Sequence, residues 1–240
     1  MDKKKVKTEA KPAPKASETA KLYQLKITLR HITPLIWRRV LVRSDTSIAQ
    51  MHSIVQTVMG WEDLHLHQFI IHGKAYGIYR DCGISFADDP HLVRLREFKL
   101  RKSERFVYEY DMGDWWLHDI RMEQVLPLEA RKQYPICIEG DGDCPPEDCG
   151  GPGGFMELMQ ERSSWSELAQ LHEDMALIAQ RLLDFYAGGS RPTYDDDDFM
   201  EAMERLRMRE EDDPIEFNRR EVNVALRKNA KETPCTSASK

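Results

Sequence analysis

The chain has no long apolar run. None of its stretches approaches the roughly 18 residues that cross a bilayer, and the lysines at its start lead into no apolar signal segment. A soluble cytoplasmic protein with no membrane partner is expected. Cysteine is scarce and irregular, five in 240 residues with no Cys-x-x-Cys pair, which excludes a disulfide scaffold and the common zinc clamps. Cys137, Cys144 and Cys149 are separated by six and four residues, and that spacing fits neither a zinc ribbon nor a knuckle. The usual enzyme templates are missing too: no Gly-x-Ser-x-Gly elbow, no Gly-rich loop ending in Lys-Ser or Lys-Thr, and no His-Glu-x-x-His helix. There is no internal repeat.

What is present suits one large domain, with 41% hydrophobic and 32% charged residues. Charge is uneven. Residues 1–21 carry seven lysines against Asp2, Glu9 and Glu18, so of the net −6 the remaining chain carries −10. An acidic body repels phosphate backbones, so DNA binding would need a local basic patch working against the global field. The Lys-Ala-Pro composition of residues 1–20 reads as a disordered basic tail, and residues 229–240 as a second disordered tail.

Between the tails, Tyr23, Leu25, Ile27 and Leu29 alternate with polar residues and predict a half-buried strand. A second strand over Ile36 to Val42 pairs with it through the His31 to Pro34 connection. Ser47 and Gln50 form a capping-box pattern ahead of Ile48, Met51, Ile54, Val55 and Val58, and Gly60 supplies a stop. This is an amphipathic helix packed on the sheet. His65, His67, Phe69 and Ile71 share a strand face, and residues 80–92 read as a loop. Strand signals resume at Phe98; Phe106, Tyr108, Tyr110 and Met112 alternate up to the turn dipeptide Gly113-Asp114, and Trp116, His118, Ile120 and Met122 alternate away from it.

The expectation is an α+β domain over residues 21–228: a mainly antiparallel sheet in strand-strand-helix-strands order, then a helical third from about residue 155. In that third, Ser164 and Glu167 cap a helix whose Leu168, Leu171, Met175, Ile178, Leu182 and Phe185 predict a core-facing stripe before Gly188. Phe199, Met203 and Leu206 mark the next helix. Asn218 and Glu221 cap a last one carrying Val222 and Leu226.

Two constellations carry chemistry. His65 and His67, two apart on a predicted strand, project from one face, and His118 as a third ligand would complete a divalent metal site; the geometry permits this without demanding it. The second is a recognition surface, in which Asp111, Asp114, Trp115, Trp116 and His118 stand beside the acidic loop with Glu147 and Asp148. Tryptophans flanked by carboxylates bind cationic or peptide partners, although strand alternation sends one of the two tryptophans into the core. Pro145-Pro146-Glu147-Asp148 has the composition of a helix start that the following glycines would stop within about a turn.

The ordered series Ile36-Trp37-Arg38-Arg39, Met59-Gly60-Trp61 leading to His65-Leu66-His67-Gln68-Phe69, Tyr110-Asp111-Met112-Gly113-Asp114-Trp115-Trp116-Leu117-His118, and Cys144-Pro145-Pro146-Glu147-Asp148-Cys149-Gly150-Gly151 resembles the plasmid pRiA4b Orf-3-like family. The resemblance spans about residues 21–228. It implies an α+β fold found in bacterial and archaeal proteins whose biochemical function is not established. Met112 and Cys149 depart from the family pattern, which has an aromatic and an aliphatic residue there. Some relatives travel with mobile elements and carry the label of transposon passenger or resolvase. His91-Leu92-Val93-Arg94 and His118-Asp119-Ile120-Arg121 match the short His-x-x-Arg pattern of a tyrosine recombinase, but the first falls in a loop and the second in a strand, where His and Arg three apart face opposite sides.

Three functions follow as expectations. The first is a non-enzymatic interaction module for a protein or peptide, the second a metal-dependent enzyme using His65, His67 and His118, and the third a DNA-associated accessory of a mobile element acting through Arg38, Arg39 or the lysine tail.

Overall fold

Alternation of apolar and polar residues resolves into seven strands among the described residues, and every pairing between them is antiparallel. The computed structural model describes residues 20–79, 85–129, 131–191, 196–211 and 213–232. The expected basic tail, apart from Ala20, and residues 233–240 lie outside them. Strands β1 (Leu22–Leu29), β2 (Trp37–Arg43), β3 (His67–Ile71), β4 (Lys74–Tyr76), β5 (Arg105–Tyr110), β6 (Trp116–Leu126) and β7 (Ile136–Asp141) lie in the order β4-β3-β5-β6-β1-β2-β7. The α+β architecture expected from the sequence is the one observed.

The sheet has one covered face. Along β6 the burial alternates strictly from Trp116 to Met122, and cross-strand register aligns Phe69, Tyr108, His118 and Leu29 in one row and His67, Tyr110 and Trp116 in the next. Helix α1 (Ile48–Met59) lies over these rows with Met51, Val55, Val58 and Met59 buried. Each such apolar side chain contributes about 1.5–3 kcal/mol when fully buried. Both halves of the expected capping box are made, since Gln50 N donates to Ser47 Oγ (3.1 Å) and Ser47 N to Gln50 Oε1 (2.9 Å). The helix ends at Gly60, whose φ of 89° is left-handed and whose added Cβ would come within 2.6 Å of Ile215 Cγ2. Glycine is required there on both counts.

The other face is a charged ladder. Glu123 accepts from Arg39 Nε (2.7 Å), Gln24 Nε2 (2.8 Å) and Arg121 (3.2 Å), which ties β6 to β1 and β2. Burial pushes this carboxyl up, but those hydrogen bonds outweigh it and bring its pKa down to about 2. Arg38 points the other way, into the core. Its guanidinium donates to the carbonyls of Val58 (2.9 Å), Asp141 (2.9 Å) and Trp37 (3.0 Å) and lies over the Phe217 ring at 3.8 Å, so it closes the end of α1 and pins β7.

Four helices follow the last strand or are separated from it by short loops: α2 (Gly151–Arg162), α3 (Trp165–Tyr186), α4 (Asp197–Glu211) and α5 (Arg219–Glu232). The helix α2 begins at the very glycines expected to stop one. Gly150 and Gly151 are both left-handed, with φ of 84° and 71°, and turn the chain so that Pro152 enters the first helical turn, where no backbone donor is needed. The α3 stripe is not core-facing either. Leu171 and Ile178 are half-covered, whereas Leu168, Leu182 and Phe185 are exposed and Met175 is 57% exposed. The helix packs on α4 instead, held by Arg205 on Asp174 (2.8 Å) and Arg181 on Asp196 (2.7 Å). Apolar spacing shows that a face exists; it does not show that the core reaches it. Helix α5 runs to Glu232, past the expected end at residue 228. Among the described residues no helix is long and apolar enough to cross a membrane.

Candidate functional site

The β5–β6 hairpin turns over five residues, Asp111 to Trp115, not as a tight Gly113-Asp114 turn. Asp111 and Trp115 are the left-handed residues, with φ of 56° and 59°, and Asp111 Oδ1 accepts from Gly113 N at 2.8 Å. This geometry separates the two tryptophans. Trp115 is 57% exposed, while Trp116 is fully buried and stands beside Trp61 with ring centroids 5.9 Å apart.

The loop between β7 and α2 folds against this hairpin tip. Gly150 N donates to Asp114 Oδ2 (3.1 Å), and a Cβ on Gly151 would overlap the Asp114 backbone oxygen. Beneath it, Trp61 Nε1 donates to Pro145 O (2.9 Å), and the indole stacks on Tyr110 at 5.0 Å. The Tyr110 hydroxyl donates to the Glu147 carboxylate while accepting from Leu64 N (3.0 Å) and His65 N (3.3 Å); Glu62 N donates to the other Glu147 oxygen (2.9 Å). Burial first, and the Glu147 carboxylate second, hold the Tyr110 phenol above its usual pKa. Three segments distant in sequence are thus fastened into one mouth.

That mouth is acidic without any cation of its own segments. Residues 44–73, 106–120 and 133–161 contain no lysine or arginine. Glu62, Asp63, Asp111, Asp114, Glu147 and Asp148 all lie in them. Asp63, Asp111 and Asp148 have left-handed φ of 63°, 56° and 61°, conformations that an aspartate tolerates better than most residues but that still carry a cost.

The three histidines expected to converge do not. His65 precedes β3, so strand alternation does not apply to it, and it is drawn to the mouth: Nε2 lies 3.1 Å from Asp148 Oδ1 and Nδ1 3.8 Å from Asp111 Oδ2. The 3.1 Å contact is misaligned for a hydrogen bond. His67 is buried on the core face, stacked on His52 with ring centroids 3.5 Å apart, and its Nε2 accepts from Ile78 N at 3.3 Å. His118 is fully buried two strands away, its Nδ1 against Trp116 O (3.1 Å), and burial brings its pKa down to about 4. A neutral core imidazole cannot serve on a surface. Of the expected surface residues, Asp114, Trp115, Glu147 and Asp148 line the mouth with nearly buried Asp111, and Trp116 and His118 support it from within.

Two groups among the described residues bring metal-ligand atoms within 4.8 Å of one another, His52/Asp63/His67 and His65/Asp111/Asp148. The first does not suit a metal. Imidazole lone pairs lie in the ring plane, so two rings stacked 6° from parallel present parallel lone pairs that cannot meet on one ion. Both His52 nitrogens are also engaged, by the Tyr108 hydroxyl and Asp63 Oδ1, each at 2.8 Å. The second group joins one imidazole and two carboxylates, of which Asp148 is exposed and Asp111 nearly buried, a donor set that suits a divalent ion. Cys137 and Cys144 are buried thiols, and burial raises the pKa of both, so neither is a reactive thiolate.

The arginines expected to meet phosphates are engaged. Arg38 is buried, and Arg39 is paired with Glu123 and Glu139. In His118-Asp119-Ile120-Arg121 the His faces the core and the Arg faces outward. The one usable signal that sequence reading missed is the absence of Lys and Arg from all three mouth segments, which becomes informative only once those segments are known to meet.

Fold and site together define a class: an antiparallel α+β domain, one sheet face covered by a helix, with an acidic, aromatic-backed mouth at the tip of its central hairpin. The model of the plasmid pRiA4b ORF-3-like proteins matches residues 21–202, and the chain belongs to that family. It is 33% identical over 142 residues to the uncharacterized protein y4hQ of Sinorhizobium fredii, covering 59% of this chain and 73% of that one. It is also similar to the crystal structure of MM3350, a protein of unknown function from Methanosarcina mazei, at 32% identity and a TM-score of 0.54, over 61% of this chain and 83% of that one.

Proposed function

We propose that the protein is a non-enzymatic binding module whose acidic mouth receives a cationic segment of a protein or peptide partner. One observation carries this reading: Trp115, exposed on a left-handed residue next to Asp114, stands at a mouth to which three segments without lysine or arginine bring Glu62, Asp63, Asp111, Asp114, Glu147 and Asp148. A lysine or arginine entering it meets an indole face and carboxylates together, an arrangement worth about 0.5–2 kcal/mol for the cation–π contact alone. The nearest approach to a catalytic relay, Asp63–His52–Tyr108, ends on a fully buried phenol that already accepts from Gln56 Nε2 at 2.8 Å. It supports packing better than turnover. Titration of an Arg/Lys-rich peptide against Trp fluorescence tests the reading: saturable quenching lost in Trp115→Ala and in Asp114→Asn is expected, and equal binding by both variants would overturn it.

In a second reading, which rests on the proximity of their ligand atoms, His65, Asp111 and Asp148 together bind a divalent cation at the same mouth. It replaces the His65, His67 and His118 set. Elemental analysis after loading with zinc or manganese distinguishes it from the peptide reading.

A further inference from the structure

A second cleft lies away from the acidic mouth, between the outer side of α1, the residues leading into the short 3-10 turn Leu95–Phe98, and the C-terminal half of α5. Its volume is about 490 Å³, within the range of small-molecule sites. Three guanidiniums line it, those of Arg43, Arg94 and Arg96, against one carboxylate, Asp45. Arg43 forks onto Asp45 at 2.8 and 2.7 Å, and that hydrogen-bonded pairing outweighs burial and lowers the Asp45 pKa. The one acid in the wall is therefore spent. Arg94 gives a single N–H to the Asp45 carbonyl at 3.2 Å, and among the described residues no carboxylate forms an ion pair with Arg94 or Arg96. The cleft keeps about two positive charges on an acidic protein.

Ser53, Thr57 and Asn229 in the lining spend their donors on Ala49 O, Ser53 O and Thr57 Oγ1, but one further hydroxyl does not. The Tyr134 hydroxyl belongs to the wall and is buried with no hydrogen-bond partner among the described residues, a state that is costly unless a ligand or water supplies the partner. A smaller adjoining lobe of about 280 Å³ shares Arg43, Tyr134 and Pro135 and adds Lys132 and Arg227, of which Lys132 is paired with Glu129 at 2.9 Å. The start of α1 contributes no free donors, because Ile48 N and Ala49 N go to the carbonyls of Val93 and Pro90 and Gln50 N goes to Ser47 Oγ. Recognition therefore falls to side chains. Ile54, Pro135 and Leu226 add apolar surface to the same lining.

We propose that this cleft binds a small organic phosphate, its phosphate on Arg94, Arg96 and the Tyr134 hydroxyl and its apolar body against Ile54, Pro135 and Leu226. Two guanidinium forks and a phenol offer more donors than the two oxygens of a carboxylate can use, whereas the three terminal oxygens of a phosphomonoester accept them all. The concave shape and apolar surface favour a small molecule over a nucleic-acid backbone, which needs an extended basic track.

The probes are inorganic phosphate, phenyl phosphate and benzoate, titrated into the full-length protein at low ionic strength and read by backbone amide shifts and calorimetry. Phenyl phosphate is expected to perturb Thr46, Arg94, Arg96 and Tyr134, to bind more tightly than phosphate, and to lose affinity about tenfold or more in Arg96→Ala. Arg96 is exposed, so its removal leaves the fold intact, and Tyr134→Phe provides an independent loss. Trp115→Ala should leave phosphate binding unchanged, which separates this site from the acidic mouth. Benzoate binding as tightly as phenyl phosphate would overturn the phosphate assignment. So would Arg96-dependent binding of duplex DNA that phenyl phosphate does not displace, or an absence of shifts at the cleft with either phosphate.

Discussion

His52 and His67 lie face to face, their ring centroids 3.5 Å apart and their planes 6° from parallel. His67 is held in the core by this stack and by its Nε2 accepting from Ile78 N, and the ligand atoms gathered with His65 are those of Asp111 and Asp148 instead. Zinc or manganese binding, measured by calorimetry, is therefore expected to disappear in His65→Ala and in Asp111→Asn and to persist in His67→Phe. Loss of the ion in His67→Phe with the fold intact, or its retention in His65→Ala, would show that the ion sits elsewhere.

The Tyr110–Glu147 contact joins residues 37 apart in sequence and receives two further backbone donors, Leu64 N and His65 N. Tyr110→Phe removes all three hydrogen bonds with little change in shape. A loss of about 1–3 kcal/mol is expected, since it strands partly buried polar groups. Hydrogen exchange at Leu64 and His65 should accelerate, while amides in β1 and β6 keep their protection. Uniform acceleration across the sheet would mean that the contact supports the whole fold and not the mouth.

Local rules were readable where local chemistry decides the outcome. The Ser47/Gln50 box, the Gly60 stop and the alternation over Phe106–Tyr110 and Trp116–Met122 each depend on residues within a few positions of one another, and each is found as read; Met112 instead falls in the turn. The mouth escaped because its parts are contributed by three separate segments and joined by single contacts such as Asp114 to Gly150. His65 was misplaced because period-two reasoning holds only inside a strand, and β3 starts at His67. The α3 stripe was misassigned for another reason: amphipathicity reports a covered or coverable face, and here α4 covers only part of it. Gly150 and Gly151 read as a stop because glycine ends helices, but paired left-handed glycines also turn a chain into one.

The α3–α4 hairpin is held together by polar links, chiefly Arg205 on Asp174, whose carboxylate is nearly buried on α3 and kept below its usual pKa first by that arginine. Asp174→Ala is expected to loosen the hairpin alone. Limited proteolysis should then cut within residues 165–211 faster than in the parent protein, with the near-ultraviolet signal of the core tryptophans unchanged. Equal cleavage rates would show that the half-covered Leu171 and Ile178, not the ion pair, hold the helices together.

Acid should unfold the protein in two overlapping steps of known sign. The His118 pKa is about 4 in the folded state against a usual 6.5, chiefly through burial. Above about 6.5 both states are neutral at this residue and its full contribution is present. Between 6.5 and 4 the unfolded chain takes up a proton that the core refuses, and about 3 kcal/mol of stability is lost across that window. Glu123, held at about 2 against 4.5 by its donors despite burial, adds a loss of the same direction between about pH 4.5 and 2. Urea midpoints measured from neutral pH downward should fall first in the His118 window, and His118→Phe should flatten the slope there while leaving the lower step in place. Glu123→Gln should do the reverse. A stability profile of His118→Phe that runs parallel to the parent from pH 6.5 to 4 would mean that the imidazole reaches solvent, contrary to its position against Tyr108 and Trp61 in the core.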